Sequence, residues 1–402
     1  MSLLRGLTLR GRGVLAAGAS ASVCGLLLGQ RDLLRIAVLL LALPLLSLAL
    51  AARGGQRLTA GRTTTPARVP AGSSTRVRLD LSNPSRVPTG VLLAQDVLPH
   101  ALGPAPRFVL DRLGPGRASA VAYTVRPAAR GRHRVGPLGV RVTDPLGLCE
   151  VPVRVGGTDP LLVLPQVEAL PPLTGSSGWS GGGEDGERSA VAAGEHGTGT
   201  REYRSGDDVR RVHWRSTARR GELMVRQDEQ PRQQRATVVL DRRARAHTAG
   251  GPRSSFERAV SAAASVATAL AAAGTGVRVV SGERAGRWVE GPSAAAAGLL
   301  DDLADVQLGD DGELAAALRA VASSGQDGLV VAVLGRVSPA DLALLARVPE
   351  RGMRAVALLL GEQGGPREQP PGPALRRAGW TVLDVAREDS LAAAWARLGG
   401  AA

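Results

Sequence analysis

Residues 199–229, GTREYRSGDDVRRVHWRSTARRGELMVRQDE, divide a chain whose two halves have different rhythms. Ahead of this stretch, short apolar runs alternate in twos between Pro and Gly turns. Beyond it, longer apolar runs alternate with Ala-rich helical patterns. The stretch itself mixes charge with rings: aromatic residues make up only 2% of the chain, yet Tyr203 and Trp214 both fall here among Arg and Asp or Glu. Guanidinium groups stack on aromatic faces and grip carboxylates bidentately. The segment therefore reads either as an ion-pair network bracing two domains or as a surface that docks a partner. Gly206 permits a tight turn, Asp207 or Asp208 is expected to cap a short helix, and Leu223–Arg226 is expected to form a short strand. A buried, bracing Trp214 is expected, whereas Asp207, Asp208 and Arg210 are expected to face a partner from the glycine turn.

Working outward towards the C-terminus, Thr237–Leu240, Val277–Val280, Leu329–Leu334, Ala355–Leu360 and Thr381–Val385 are continuous apolar runs of strand length. Helical patterns separate them at Ser254–Ala273, Ala294–Ala304, Glu313–Ala322 and Pro339–Ala346, and another follows at Leu391–Leu398. Such alternation predicts a largely parallel sheet covered on both faces, a doubly wound α/β domain.

Towards the N-terminus, Val77-Arg78-Leu79-Asp80-Leu81 alternates as a strand with one buried face does. Val91–Leu93, Ala120–Val125, Val140–Val142, Val151–Val155 and Leu161–Leu164 predict further strands. Turns punctuate them at Asn83-Pro84, Gly114-Pro115 and Asp144-Pro145-Leu146-Gly147. Many short strands with turns between them predict an all-β, sandwich-like domain, with His133 as a strand-surface residue rather than a ligand.

Val14–Gly29 and Leu33–Ala52 are apolar, and the second has about the ~20 residues that cross a bilayer. The first is shorter and needs Arg12 and Gln30 or Arg31 to reach towards the headgroups. With GQRD as a turn, the two predict a transmembrane hairpin, in which a neighbouring helix can accommodate Pro44. A cleavable signal peptide is the competing reading, and the immediate second span argues against it. Arg5, Arg10, Arg12, Arg53, Arg57 and Arg62 on the outer flanks outnumber Arg31 and Arg35 in the turn. The positive-inside rule then places both termini in the cytoplasm.

The pattern carried by Tyr203, Gly206, Asp207, Asp208, Arg210, Trp214, Ala218, Arg219, Leu223 and Val225 resembles the signature of a bacterial family labelled domain of unknown function 58. The run Arg130-Gly131-Arg132-His133, with Gly136-Pro137-Leu138 and Asp144-Pro145-Leu146-Gly147-Leu148, also resembles that family's β domain, and the order of parts agrees over nearly the whole chain. The resemblance implies a von Willebrand factor A-like C-terminal domain and a MoxR-type AAA+ ATPase as partner; it implies no reaction. The expected organisation is a membrane hairpin over residues 1–57 (helices at about 13–29 and 33–52) and a β-sandwich-like domain over 58–168. A Gly-rich loop with the signature over 169–235 and a von Willebrand A-like α/β domain over 236–402 complete it.

Composition narrows the chemistry. The formal charge is +14, and the basic residues are all Arg. A Walker A loop needs Lys, so this chain is not itself a P-loop ATPase. The basic balance admits nucleic acid, yet no base-stacking platform or recognition-helix motif accompanies it, so anionic lipid is the expected partner. Cys24 and Cys149 give no disulfide framework, and with five scattered His they give no zinc spacing. Gly178-Trp179-Ser180-Gly181-Gly182 matches G-x-S-x-G, which makes Ser180 with His196 an alternative hydrolase site. That motif needs a sharp strand-to-helix turn, however, and here it lies in a Gly-rich loop.

Metal-binding von Willebrand A domains place D-x-S-x-S after the first strand, so that oxygen ligands hold Mg²⁺. Here the run is Asp241-Arg242-Arg243-Ala244-Arg245, and Gly335-Arg336 follows Leu334 without the later Thr and Asp. Asp241 is thus a degenerate metal position, expected to pair with Arg243 or Arg245; a metal-dependent adhesion module is the second alternative. Asp207-Asp208 and Asp301-Asp302 cannot converge as adjacent residues on a helix, and helix capping is expected of both. No cofactor is expected. The reading is a non-enzymatic adaptor or scaffold at the cytoplasmic face of the membrane, using Tyr203, Gly206, Asp207, Asp208, Arg210, His213, Trp214 and Arg219 for docking or bracing.

Overall fold

A computed structural model describes residues 6–55, 58–144, 146–172, 198–203, 212–228, 235–248, 250–291, 294–324, 328–360, 370–386 and 388–399. The chain divides into two compact units, Met1–Gln166 and Val167–Ala402.

The first unit opens with two antiparallel helices, α1 (Leu9–Leu28) and α2 (Arg31–Gly55). Both are long and apolar enough to cross a membrane. α1 starts earlier than expected because Thr8 caps it, its hydroxyl accepting the Gly11 N–H. Gly29, in the left-handed region at φ 68°, ends the helix and turns the chain. Cys24 is exposed and Cys149 buried, both as free thiols.

A β-rich region follows: β1 (Thr59–Thr65), β2 (Arg68–Pro70), β3 (Thr75–Ser82), β4 (Leu92–Asp96), β5 (Arg107–Leu110), β6 (Ala118–Val125), β7 (Gly131–Val135), β8 (Leu138–Thr143), β9 (Glu150–Val155) and β10 (Asp159–Leu164). The sheet orders are β1-β3-β6, β2-β10-β7 and β5-β4-β8-β9. In β3 the buried set Val77, Leu79 and Leu81 alternates with exposed Arg. Leu79 and Leu81 pack with Leu92, Ala94, Leu138, Val140 and Val142 into one core, while Val77 joins Val69, Val125, Val135, Leu161 and Val163 in another. Between the sheets lies a buried polar knot. Arg62 donates to Asp96 at 2.7 and 3.2 Å and to the Val135 carbonyl at 3.1 Å, and the Tyr123 hydroxyl donates to Asp96 at 2.5 Å. Asp96 is fully buried, so this pairing is what makes its burial tolerable.

In the second unit, a two-stranded ribbon, β11 (Thr198–Glu202) with β12 (Met224–Asp228), frames a short helix, α3 (Trp214–Arg220). The α/β part then runs β13 (Arg235–Leu240), α4 (Ser255–Ala272), β14 (Gly276–Ser281), β15 (Arg284–Ala285), α5 (Ala294–Asp305), α6 (Glu313–Ser324), β16 (Leu329–Leu334), α7 (Pro339–Ala346), β17 (Arg354–Leu360), α8 (Pro371–Arg377), β18 (Trp380–Val385) and α9 (Leu391–Gly399). The strands form a six-stranded sheet in the order β15-β14-β13-β16-β17-β18, parallel throughout except for β15.

Both faces of the sheet are covered. Val238 and Leu240 pack with α4, α5 and α9, including the fully buried Trp395. Val239 and Leu334 pack on the other side with α6, α7 and α8. Six of the eleven buried residues of α4 are Ala: Ala259, Ala262, Ala263, Ala264, Ala267 and Ala271. Asp301 and Asp302 do not cap a helix as expected. They lie in the later turns of α5, which continues to Asp305 because Leu299, Leu303 and Ala304 are buried there.

Candidate functional site

The described residues of the signature segment build a small platform. β11 and β12 pair antiparallel from Thr198↔Asp228 to Glu202↔Met224, and Val212 forms a bridge with Val225. The Tyr203 N–H donates to the Leu223 carbonyl at 2.8 Å, and the His213 N–H to the Met224 carbonyl at 2.7 Å. Val212, Met224 and Val225 are buried as the floor.

His213 caps α3: its Nδ1 accepts the Ser216 N–H at 3.2 Å and lies 2.8 Å from Ser216 Oγ. The helix stops at Gly221, left-handed at φ 77°, and Thr217 Oγ1 accepts the Met224 N–H at 3.0 Å. The cap of α3 is thus a histidine next to the helix, while the cap expected of Asp207 or Asp208 lies outside the described residues. A ring nitrogen there reaches the orphan N–H, as a carboxylate would.

Trp214 overturns the expectation of a buried brace. It is the first residue of α3 and 66% exposed, because the helix turns its Trp and Arg side chains away from the floor. Arg215, Arg219 and Arg220 are exposed on the same helix, and Arg219 and Arg220 sit in its last turn, where the helix dipole favours cations. Tyr203 is half-buried. Gly206, Asp207, Asp208 and Arg210 lie outside the described residues, as do Ser180 and His196.

The second candidate lies at the carboxyl ends of β13 and β16, where the winding of the sheet reverses. Open α/β sheets bind ligands at such a switch point. Asp241, directly after β13, is fully buried. Its carboxylate takes two side-chain hydrogen bonds from Arg243, at 2.9 Å from Nε and 2.8 Å from the guanidinium end, and one from the Arg243 backbone N–H at 3.2 Å. The same guanidinium donates to Asp341 Oδ1 at 2.7 Å.

Asp341 comes from the first turn of α7. Its Oδ2 accepts both the backbone N–H and the hydroxyl of Ser338 at 2.8 Å, in a reciprocal capping box. Burial would push Asp341 up, but hydrogen bonds from Arg243 and Ser338 outweigh it and hold the carboxyl below its usual range. Burial would likewise lower Arg243, and the two carboxylates reverse that, raising it.

His247 closes the floor. Burial lowers its pKa, which favours the neutral ring, and Nε2 donates to the Asp241 carbonyl at 2.8 Å. Around this centre Arg242 pairs with Glu313 at 2.6 Å, and Arg245 pairs with Asp311 at 3.1 Å rather than with Asp241.

These residues do not fit a divalent cation. Such an ion is held by free carboxylate oxygens together with waters, whereas both Asp241 oxygens and one of Asp341 are engaged by a guanidinium between them. Among the described residues no group of three or more His, Cys, Asp or Glu side chains could hold a metal. Asp341 escaped the sequence reading because it lies 98 residues from Arg243. The Ser338-Pro339-Ala340-Asp341 capping pattern was its one local signal.

A family model described as "Protein of unknown function DUF58" matches residues 199–360, which supports membership of that family over the signature and much of the α/β part. No curated protein matches the chain. Among solved structures, the CARDB domain of a Pyrococcus furiosus protein is similar at 14% identity and TM-score 0.20, over 26% of this chain and 91% of that one. A Pseudomonas fluorescens alkylpurine DNA glycosylase matches at 17% identity and TM-score 0.18, over 32% of this chain and 39% of its own. A sporulation control protein from Bacillus subtilis matches at 9% identity and TM-score 0.17, over 27% and 49%. At those scores none of the three bears on fold or function.

Proposed function

We propose that this chain is a non-enzymatic, membrane-anchored adaptor that offers α3 to a protein partner. The observation that carries this reading is Trp214, 66% exposed on a helix whose neighbouring Arg215, Arg219 and Arg220 are exposed too. An exposed indole among arginines is the composition of a binding hot spot, and the positive charge selects a partner with an acidic face. The sheet end, with its carboxylates tied to Arg243, presents no activated nucleophile and no ligand set among the described residues, which favours a structural role there.

By the family resemblance the partner is a MoxR-type AAA+ ATPase, acting in assembly or maturation of an envelope complex. The strand order β15-β14-β13-β16-β17-β18 with its antiparallel edge supports reading the α/β part as von Willebrand A-like. The core shared by β3 with β4 and β8 supports reading the β-rich region as a sandwich. Arg10 and Arg12 at the open end of the hairpin favour placing that end, and the two domains, in the cytoplasm.

The test is crosslinking of the full-length protein in its native membranes, followed by purification, with Trp214→Ala plus Arg219→Glu alongside the wild type. The wild type should carry the ATPase, and the variant should lose it while melting as the wild type does. Absence of the ATPase after crosslinking overturns the adaptor reading. An unstable variant would instead make the platform a brace.

A further inference from the structure

One end of the β-rich domain is built unlike the other. The loops 83–91 and 111–117 and the connection from β8 to β9 all emerge at the end where α2 leads into β1, as the register of β1, β3, β4, β6, β8 and β9 requires. Val87, Val91 and Leu146 on these loops are large apolar residues exposed by about half. The Leu93–Val109 cross-strand pair beside them is exposed too, whereas Val97 is an exposed apolar residue of the opposite end. Exposed Arg86, Arg112 and Arg117 rim the same end and outnumber Asp111 there.

Residues 146–149, between β8 and β9, are also seated against the helical hairpin. Leu148 and Cys149 pack with Leu7, Val14, Leu15, Leu43 and Leu48. The Thr8 N–H donates to the Leu148 carbonyl at 3.0 Å, the Thr8 hydroxyl donates to the Gly147 carbonyl at 2.7 Å, and the Cys149 thiol donates to the Pro44 carbonyl at 3.4 Å. A Cβ on Gly11 would lie 2.1 Å from the Leu148 oxygen, so the backbones meet here only because residue 11 is Gly.

That contact fixes a depth. Beyond Arg12, α1 has apolar residues from Gly13 to Leu28, roughly 24 Å at ~1.5 Å per residue, against a hydrocarbon core of about 30 Å. The shortfall lies at the end where the loop docks. α2, meanwhile, stays apolar to Ala52, past the level of Leu48. A bilayer that covers the apolar run of α2 therefore reaches the loop packed against Leu43 and Leu48.

We propose that this end of the β-rich domain is a second membrane-contact surface, seated in the interfacial layer of the bilayer that the hairpin spans. Val87, Val91 and Leu146 enter among the acyl chain ends, and Arg86, Arg112 and Arg117 meet anionic headgroups. The surface rests on the reading of α1 and α2 as membrane spans, and it makes the domain part of the anchor rather than cargo on a tether.

The test is spin-label accessibility on the full chain in phosphatidylglycerol–phosphatidylcholine vesicles. Labels go on Leu146→Cys, Val91→Cys, Val38→Cys in α2 and Ser73→Cys at the far end of the domain, each in a Cys24→Ser background. Cys149 stays silent, since it is buried and burial pushes its thiol up to about 11. The ratio of collisions with oxygen to collisions with a water-soluble nickel chelate should be several-fold higher at positions 146, 91 and 38 than at position 73. Lipid-like values at 38 with water-like values at 146 and 91 overturn the contact surface and leave the anchor standing. Water-like values at 38 remove both.

Discussion

Replacing Arg243 with Met tests the logic of the sheet end most directly. The guanidinium is 1% exposed and lies between Asp241 at 0% and Asp341 at 5% side-chain exposure, so Arg243→Met keeps the bulk and strands two buried carboxylates. Breaking a buried pair from one side costs about 3–5 kcal/mol, a large share of the ~5–15 kcal/mol that holds a typical domain together. All five Trp residues lie in the second unit, so a urea titration of the full chain in detergent, followed by Trp fluorescence, reports that unit alone.

The pH dependence carries a sign. In the wild type the depressed Asp341 contributes stability above the unfolded carboxyl value of about 3.9 and loses it as pH falls through the lower folded value. In Arg243→Met the Asp341 carboxyl is buried without its cation, so its folded pKa rises. The deficit should then be greatest near neutrality and shrink as pH falls towards ~4. Adding Asp241→Asn and Asp341→Asn should restore part of the loss. A deficit below about 1 kcal/mol, the worth of a surface ion pair, or one indifferent to pH, would refute the account.

Further expectations follow from other groups. His247 has a lowered pKa through burial, so the unfolded chain takes up the proton first. Wild-type stability should fall as pH drops below about 6.5, the fall should flatten in His247→Gln, and equal slopes in paired melts would contradict this. Tyr123→Phe removes a donor from fully buried Asp96 and should cost about 1–3 kcal/mol in a melt followed by far-UV circular dichroism. Burial, reinforced by Asp96, raises the Tyr123 pKa, so its tyrosinate absorbance should appear only on unfolding. For topology, Gln30→Cys in a Cys24→Ser background should react with an impermeant maleimide in intact cells while Arg117→Cys should not; the reverse pattern would put both domains outside. Cys149 would be a poor reporter for this purpose, because it is fully buried whichever side it occupies. Arg62 likewise drops out of the charge count behind this prediction, since its guanidinium is buried on Asp96.

Legibility in the sequence followed physical locality. Leu329–Leu334 and Pro339–Ala346 were readable to the residue, because an all-apolar strand and a Ser-Pro start leave little choice of boundary. Thr59–Thr65 was not, since a run of Thr, Gly and Arg shows no apolar alternation and takes its strand form from pairing with β3. Gly131–Val135 is Arg-rich for the same reason: only its inward residues are covered. Pro371–Arg377 was hidden by two prolines that occupy its first turn, where a missing N–H costs nothing. At the site, Asp241 with Arg243 was legible because two residues at a strand end must meet. The Asp341 contribution needed the fold to bring α7 across. The Trp214 error came from composition, which says that an aromatic is scarce but not which way its helix faces.

The alanines of α4 have a consequence for what it takes to order the second unit. A buried Leu or Met surrenders rotamer freedom on folding, whereas Ala has none to lose, so six of the eleven buried positions of α4 are fixed at the expense of backbone entropy alone. Val238 and Leu240 share one core with these alanines, so the helix meets its central strand through small side chains at more than half of its buried positions.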